Sequence, residues 1–163
     1  MVLYHFAVLD STMTVQYNNT KFKTGGTDVI LLKNISKTFD VSNKEVHALK
    51  AVTLTINDKD VFGIIGFSGA GKSTLVRCIN LLERPTSGTV EIDGHELTGM
   101  PANELRQSRK KIGMIFQHFN LMPSRTIFGN VAYPLRKSGL SKQEIREKVR
   151  KLLHLVDISE KEN

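Results

Sequence analysis

Residues 66 to 74, Gly66-Phe67-Ser68-Gly69-Ala70-Gly71-Lys72-Ser73-Thr74, form a complete G-x-x-x-x-G-K-[ST] phosphate-binding loop. The pattern restricts its surroundings, because the loop works only between a strand that enters it and a helix that leaves it. Glycines let the backbone curl so that successive N–H groups face phosphate oxygens. Lys72 brings a cation to the β- and γ-phosphates, Ser73 offers a hydroxyl to Mg²⁺, and the following helix aims its positive dipole end at the same anion. By chance the pattern arises at roughly 4 in 100,000 positions. Its flanks agree: Val61-Phe62-Gly63-Ile64-Ile65 is an apolar run suited to a buried strand, and Leu75 to Leu82 carries apolar residues at helical spacing. The stretch is read as a nucleoside-triphosphate site.

The remaining composition narrows the setting. A chain of 163 residues, 40% hydrophobic and 24% charged, is long enough for one domain with a sizeable core. No apolar run approaches the roughly 18 residues needed to span a bilayer. Met1 to Leu9 is apolar but lacks the basic start and small-residue cleavage site of a signal peptide. Cys78 is the single cysteine, read as a small buried apolar residue; without an intrachain disulfide, the chain fits a reducing compartment. The net charge of +7 raises nucleic acid or an anionic membrane as partners. Its one cluster, Arg106, Arg109, Lys110 and Lys111, has no interleaved aromatic residue and reads as a solvated helix face.

Along the chain, residues 1 to 27 carry no motif, and 1 to 28 are assigned as an N-terminal extension expected to be flexible. Strands are expected at Val29 to Leu32 and within Ala48 to Ile56, with a turn at Asn57-Asp58-Lys59-Asp60. After the loop helix, Thr89 to Ile92 alternates as a half-exposed strand and Asp93-Gly94 signals a hairpin. Residues 101 to 110 predict a short polar helix, and Lys111 to Phe116 a buried strand. Ser141-Lys142-Gln143-Glu144 fits a capping box, followed by an apolar stripe of Ile145, Val149, Leu152, Leu153 and Val156.

In this order the motifs resemble those of ABC transporter ATP-binding subunits, and among these the methionine-import ATP-binding proteins. The resemblance rests on Asn34-Ile35-Ser36-Lys37-Thr38-Phe39, on Cys78 through Gly88, on Ile112 through Leu121 and on Ser124 through Val131. It covers Val29 to the C-terminus and implies an α/β, P-loop NTPase fold of ABC type, truncated. The parts would be an antiparallel β subdomain, a partial RecA-like core and the start of a helical subdomain, all within 29–163. The resemblance further implies ATP and Mg²⁺ as cofactors. Phe39 would stack on adenine, Gly66 to Thr74 would hold the phosphates, and Ser73 with the Q-loop residue Gln117 would complete the Mg²⁺ shell. Residues 119–130 would meet a membrane permease, and a second ATP-binding subunit would pair head to tail. The place implied is the cytoplasmic face of the cell membrane, peripherally, with no nucleic acid expected. His118 is read as a bystander.

Asp58-Lys59-Asp60 departs from the family's usual Gly-Glu turn. A larger departure is that the 163 residues contain no Leu-Ser-Gly-Gly-Gln signature, no second acidic strand and no switch histidine. Leu152 to Asp157 is rejected as that strand because its period is helical. The expectation is therefore a truncated piece of a methionine-type importer ATPase that binds ATP and does not hydrolyse it alone. Two other classes stay open: a non-catalytic ATP-binding remnant, and a soluble ABC-type ATPase acting on nucleic acid, suggested only by the +7 charge.

Overall fold

A computed structural model describes residues 4–9, 15–17, 28–118 and 120–161. The chain divides into two compact units, Met1–Gly113 and Met114–Asn163.

The first unit holds two sheets. Strands β1 (Tyr4–Leu9), β2 (Val15–Tyr17), β3 (Asp28–Val41), β4 (Lys44–Asn57) and β5 (Val61–Gly66) precede the phosphate loop. Helix α1 (Lys72–Ile79) leaves it, followed by β6 (Ser87–Ile92), β7 (His95–Glu96) and helix α2 (Ala102–Ser108). The four-stranded sheet runs β4-β3-β6-β7, antiparallel throughout. Two tight turns build it. Ser42 and Asn43 both have positive φ (49° and 60°), as do Asp93 and Gly94 (51° and 74°), the left-handed pair that a two-residue hairpin requires.

The expected strands at 29–32 and 48–56 are thus segments of one 14-by-14-residue hairpin. Its register shifts, near positive-φ residues Asn34 and Ala51, interrupt the alternation on which the shorter assignments rely. The Asn57–Asp60 turn is closed by Asp60, whose carboxylate accepts from the Asn57 backbone N–H and side-chain amide at 3.0 and 2.9 Å. Lys59 takes φ 63° there. Inward-facing Leu32, Ile35, Leu49, Val52, Leu54 and Val90 of this sheet bury against Leu75 and Cys78 of α1, with Phe62 and Ile64 of β5 packed alongside.

The second sheet runs β2-β1-β5. β1 lies parallel to β5, from Tyr4 opposite Val61 to Leu9 opposite Gly66, and antiparallel to β2. Part of the segment expected to be a flexible extension is therefore sheet, and it pairs with the strand that enters the phosphate loop. The rest of 1–27 lies outside the described residues.

The expected buried strand at 111–116 does not form. A 3-10 turn covers Arg109–Lys111, and residues 112–116 join neither sheet. Ile115 is 99% exposed. An apolar run becomes a strand only when a neighbouring ladder satisfies its backbone, and among the described residues no strand pairs with this one.

The second unit is helical: α3 (Ile127–Ala132), a 3-10 turn at Tyr133–Lys137, α4 (Lys142–Leu155) and a last 3-10 turn at Ser159–Lys161. The capping box is present, with Ser141 Oγ accepting from Glu144 N at 3.3 Å and the Glu144 carboxylate accepting from Ser141 N at 2.8 Å. Val149 and Leu153 bury with Ala132, and Ile145 packs beside them. Leu152 and Val156 of the expected stripe are exposed, so the buried face is narrower than the sequence pattern.

Candidate functional site

The phosphate loop is built from the end of β5 and the start of α1. Gly69 and Gly71 take φ of 82° and 86°, left-handed conformations that a side chain disfavours. At Gly71 a second constraint applies, because a Cβ would stand 2.3 Å from the backbone oxygen of Ala48 and 3.1 Å from Leu49 Cδ2. The β3–β4 hairpin thus presses on the loop from one side, and only glycine fits. Ala70 is buried in the core, while Phe67 is 80% exposed on the loop's outer edge.

Lys72 braces the loop. Its Nζ donates to the carbonyls of Gly66 at 2.8 Å and Phe67 at 2.7 Å. An ammonium has three donors, so one remains to meet a phosphate oxygen while the other two hold the loop closed. The first intrahelical bond of α1, Leu75 N to Gly71 O, measures 2.8 Å. Gly71 is the N-cap and offers no side-chain acceptor, and no acidic residue stands in the first turn. The opening N–H groups and positive helix end therefore face this site without a protein carboxylate competing for them. Ser73 stands in that same first turn. The residues present suit a triphosphate with Mg²⁺: a glycine-rich loop, one braced cation and one hydroxyl.

Phe39 lies near the end of β3, partly buried and opposite Val46. It is two residues from Lys37, whose pairing partner Leu49 is the residue that touches Gly71. Two residues along a strand span about 7 Å, which is the spacing along β3 between the Phe39 position and that pair. Gln117 and His118 belong to the second unit, where both are exposed in a bend. Phe119 lies outside the described residues. The segment after it is organised by Asn130, whose amide donates to the carbonyls of Met122, Arg125 and Thr126 and accepts from Met122 N. Thr126 caps α3 by accepting from Gly129 N at 3.1 Å.

Several contributors carry no sequence signal of their own. Arg109, expected on a solvated face, instead closes the far end of α1: its Nε donates to Asn80 O at 2.9 Å and its terminal nitrogen to Leu81 O. The missing signal is distance along the chain, since the contact spans 29 residues. Cys78 is fully buried on the core face of α1, as expected. Burial pushes its thiol pKa up to about 11, with Lys37 opposing and Glu83 adding to the shift. A separate cavity of about 260 Å³, lined by residues including Ile30, Ile79, Ile92 and Leu97, contains none of the phosphate-loop residues. No helix among the described residues is long and apolar enough to cross a membrane.

Comparison with known proteins places this geometry. The ABC transporter family model matches residues 49–163. The chain is 59% identical over 133 residues to methionine import ATP-binding protein MetN 1 of Enterococcus faecalis, covering 82% of this chain and 37% of that protein. It is 53% identical over 135 residues to a methionine import ATP-binding protein MetN 2 of Bacillus cereus, covering 83% and 40%. Among solved structures, a dimeric post-hydrolysis state of the ATP-binding cassette MJ0796 bound to ADP and Pi superposes with a TM-score of 0.72 at 36% identity, covering 78% of this chain and 57% of that one. The chain thus spans about two fifths of the length of these curated relatives. It belongs to the ABC transporter family, and its α/β fold is that of an ABC nucleotide-binding cassette in part.

Proposed function

We propose that this chain, as a member of the ABC transporter family, is the nucleotide-holding part of the ATP-binding subunit of a methionine importer. The observation that carries the reading is the braced loop: Lys72 Nζ fixed on Gly66 and Phe67 carbonyls, with Gly71 held against Ala48. Here Lys72 and the backbone amides of Gly66 to Thr74 bind and orient the triphosphate, Ser73 would hold Mg²⁺, and Phe39 stacks on the base; for Gln117 the role of a Mg²⁺ ligand is proposed from the family resemblance alone. Bound Mg²⁺ would neutralise charge on the phosphates and hold them in line for transfer. Methionine as cargo is supported by the relatives named methionine import proteins. From the same resemblance come a permease meeting residues 119–130, a second cassette, and a place at the cytoplasmic face of the membrane.

By itself the chain is proposed to hold ATP without turning it over. Phosphoryl transfer depends on positioning the attacking water, and the 163 residues contain no acidic-strand glutamate or signature sequence to do so. Titration with Mg·ATP tests both parts. Lys72→Ala should weaken binding at least about tenfold, the loss of one charge-assisted contact; unchanged affinity would overturn the site. Mg²⁺-dependent phosphate release by the pure chain, abolished in Lys72→Ala, would overturn the second part. Co-purification with a permease of methionine-uptake function is the expected cellular result.

A further inference from the structure

Lys37 is engaged on three sides at once. Its Nζ lies 4.8 Å from the centre of the Phe39 ring. The same nitrogen is 2.6 Å from Glu83 Oε1 and donates to Arg84 O at 2.8 Å. Only 14% of the Lys37 side chain is exposed, against 31% of Glu83, so the cation itself is largely withdrawn from solvent. Lys37 and Phe39 are alternate residues of β3 and share a face of the strand.

Glu83 and Arg84 in turn belong to the segment leaving α1. Glu83 N donates to Arg77 O at 3.0 Å, within the last turn of that helix. Thr86 continues the tie, its N–H donating to Ser36 O at 2.8 Å and its hydroxyl accepting from Thr38 N at 3.0 Å. A continuous series of polar contacts therefore runs from the C-terminal end of the phosphate-loop helix to the aromatic ring.

We infer that Lys37 is a positioning residue for nucleotide binding: it fixes the Phe39 ring, from one face, at a set place relative to α1, so that the other face receives the purine. This rests on the reading of Phe39 as the base platform. The physical reason is that a cation held over a ring restrains it electrostatically, most strongly when both are withdrawn from water. A ring already restrained loses less freedom when a base stacks on it. The contacts of the Lys37 ammonium are with Phe39, Glu83 and Arg84 O, none of them a phosphate-loop residue, so its effect belongs to the base half of the ligand alone.

The test compares Mg²⁺ complexes of ATP and of inorganic tripolyphosphate, binding to the full chain. Lys37→Met should weaken ATP about 3- to 10-fold and leave tripolyphosphate unchanged, while Lys37→Arg should restore ATP binding. Lys37→Gln keeps a donor for Arg84 O without the charge, and should fold where Lys37→Met does not; the same selective loss is expected. Equal loss for both ligands, or none for ATP in either neutral variant, would overturn the inference. If Phe39→Ala weakens ATP while the Lys37 variants do not, the platform stands and this inference alone fails. Wild-type protein that binds neither ligand would instead overturn the nucleotide site itself.

Discussion

At Gly71 the residue type is dictated by a backbone atom from another part of the chain. The motif demands glycine for loop curvature, and the hairpin demands it again through Ala48 O. Cys78 shows the converse, a residue whose chemistry is suppressed by its place. Its pKa of about 11 is raised from 9.0 mainly by burial, so the native thiol stays protonated where the unfolded one has begun to ionise. The unfolded state then binds fewer protons, and stability falls as pH rises from about 9 to about 11, while being fully present below that window. The Cys78→Ser variant should show a flatter stability–pH curve across this range in denaturant titrations. Native Cys78 should also label slowly with a thiol reagent at about pH 8 and quickly in denaturant; equal rates would show the site is open.

Among elements, α1 depends on both its ends. Its N-terminus has neither a side-chain cap nor an acidic residue in the first turn, and its C-terminus is closed by Arg109, which reaches the carbonyls of Asn80 and Leu81. Charge-assisted bonds to orphan carbonyls at a helix end are favourable on both counts. Arg109→Ala should therefore cost about 1.5–3 kcal/mol in chemical denaturation, whereas Arg106→Ala, at an exposed position, should fall within about 0.5 kcal/mol. Equal effects at the two positions would return the cluster to a uniform solvated face. The capping box of α4 is legible from Ser141 and Glu144 because every partner lies within four residues. Residues 111–116 read as a strand and are not one, because strand formation needs a partner strand, which no local pattern reveals.

Across the whole molecule, the pairing of β1 with β5 matters most for the site. Six residues of the N-terminal segment lie in parallel register with the strand entering the phosphate loop, ending at Leu9 opposite Gly66. A strand with an unpaired edge invites association. Removal of residues 1–17, which takes away β1 and β2, should lower the thermal midpoint and move the protein to larger species on size exclusion. An unchanged midpoint and elution would show that this ladder contributes nothing. What the sequence determined alone was local: the loop chemistry of Gly66 to Thr74, the Asp93-Gly94 turn, the capping box, and the family these motifs resemble. Each depends on residues a few positions apart, where spacing fixes geometry. Tertiary structure decided what depends on distant partners: the reach of Arg109 to α1, the pressure of Ala48 on Gly71, the tie from Lys37 to Glu83, and the strand that flanks β5. Those contacts join segments tens of residues apart, and only the packed chain determines which of them meet.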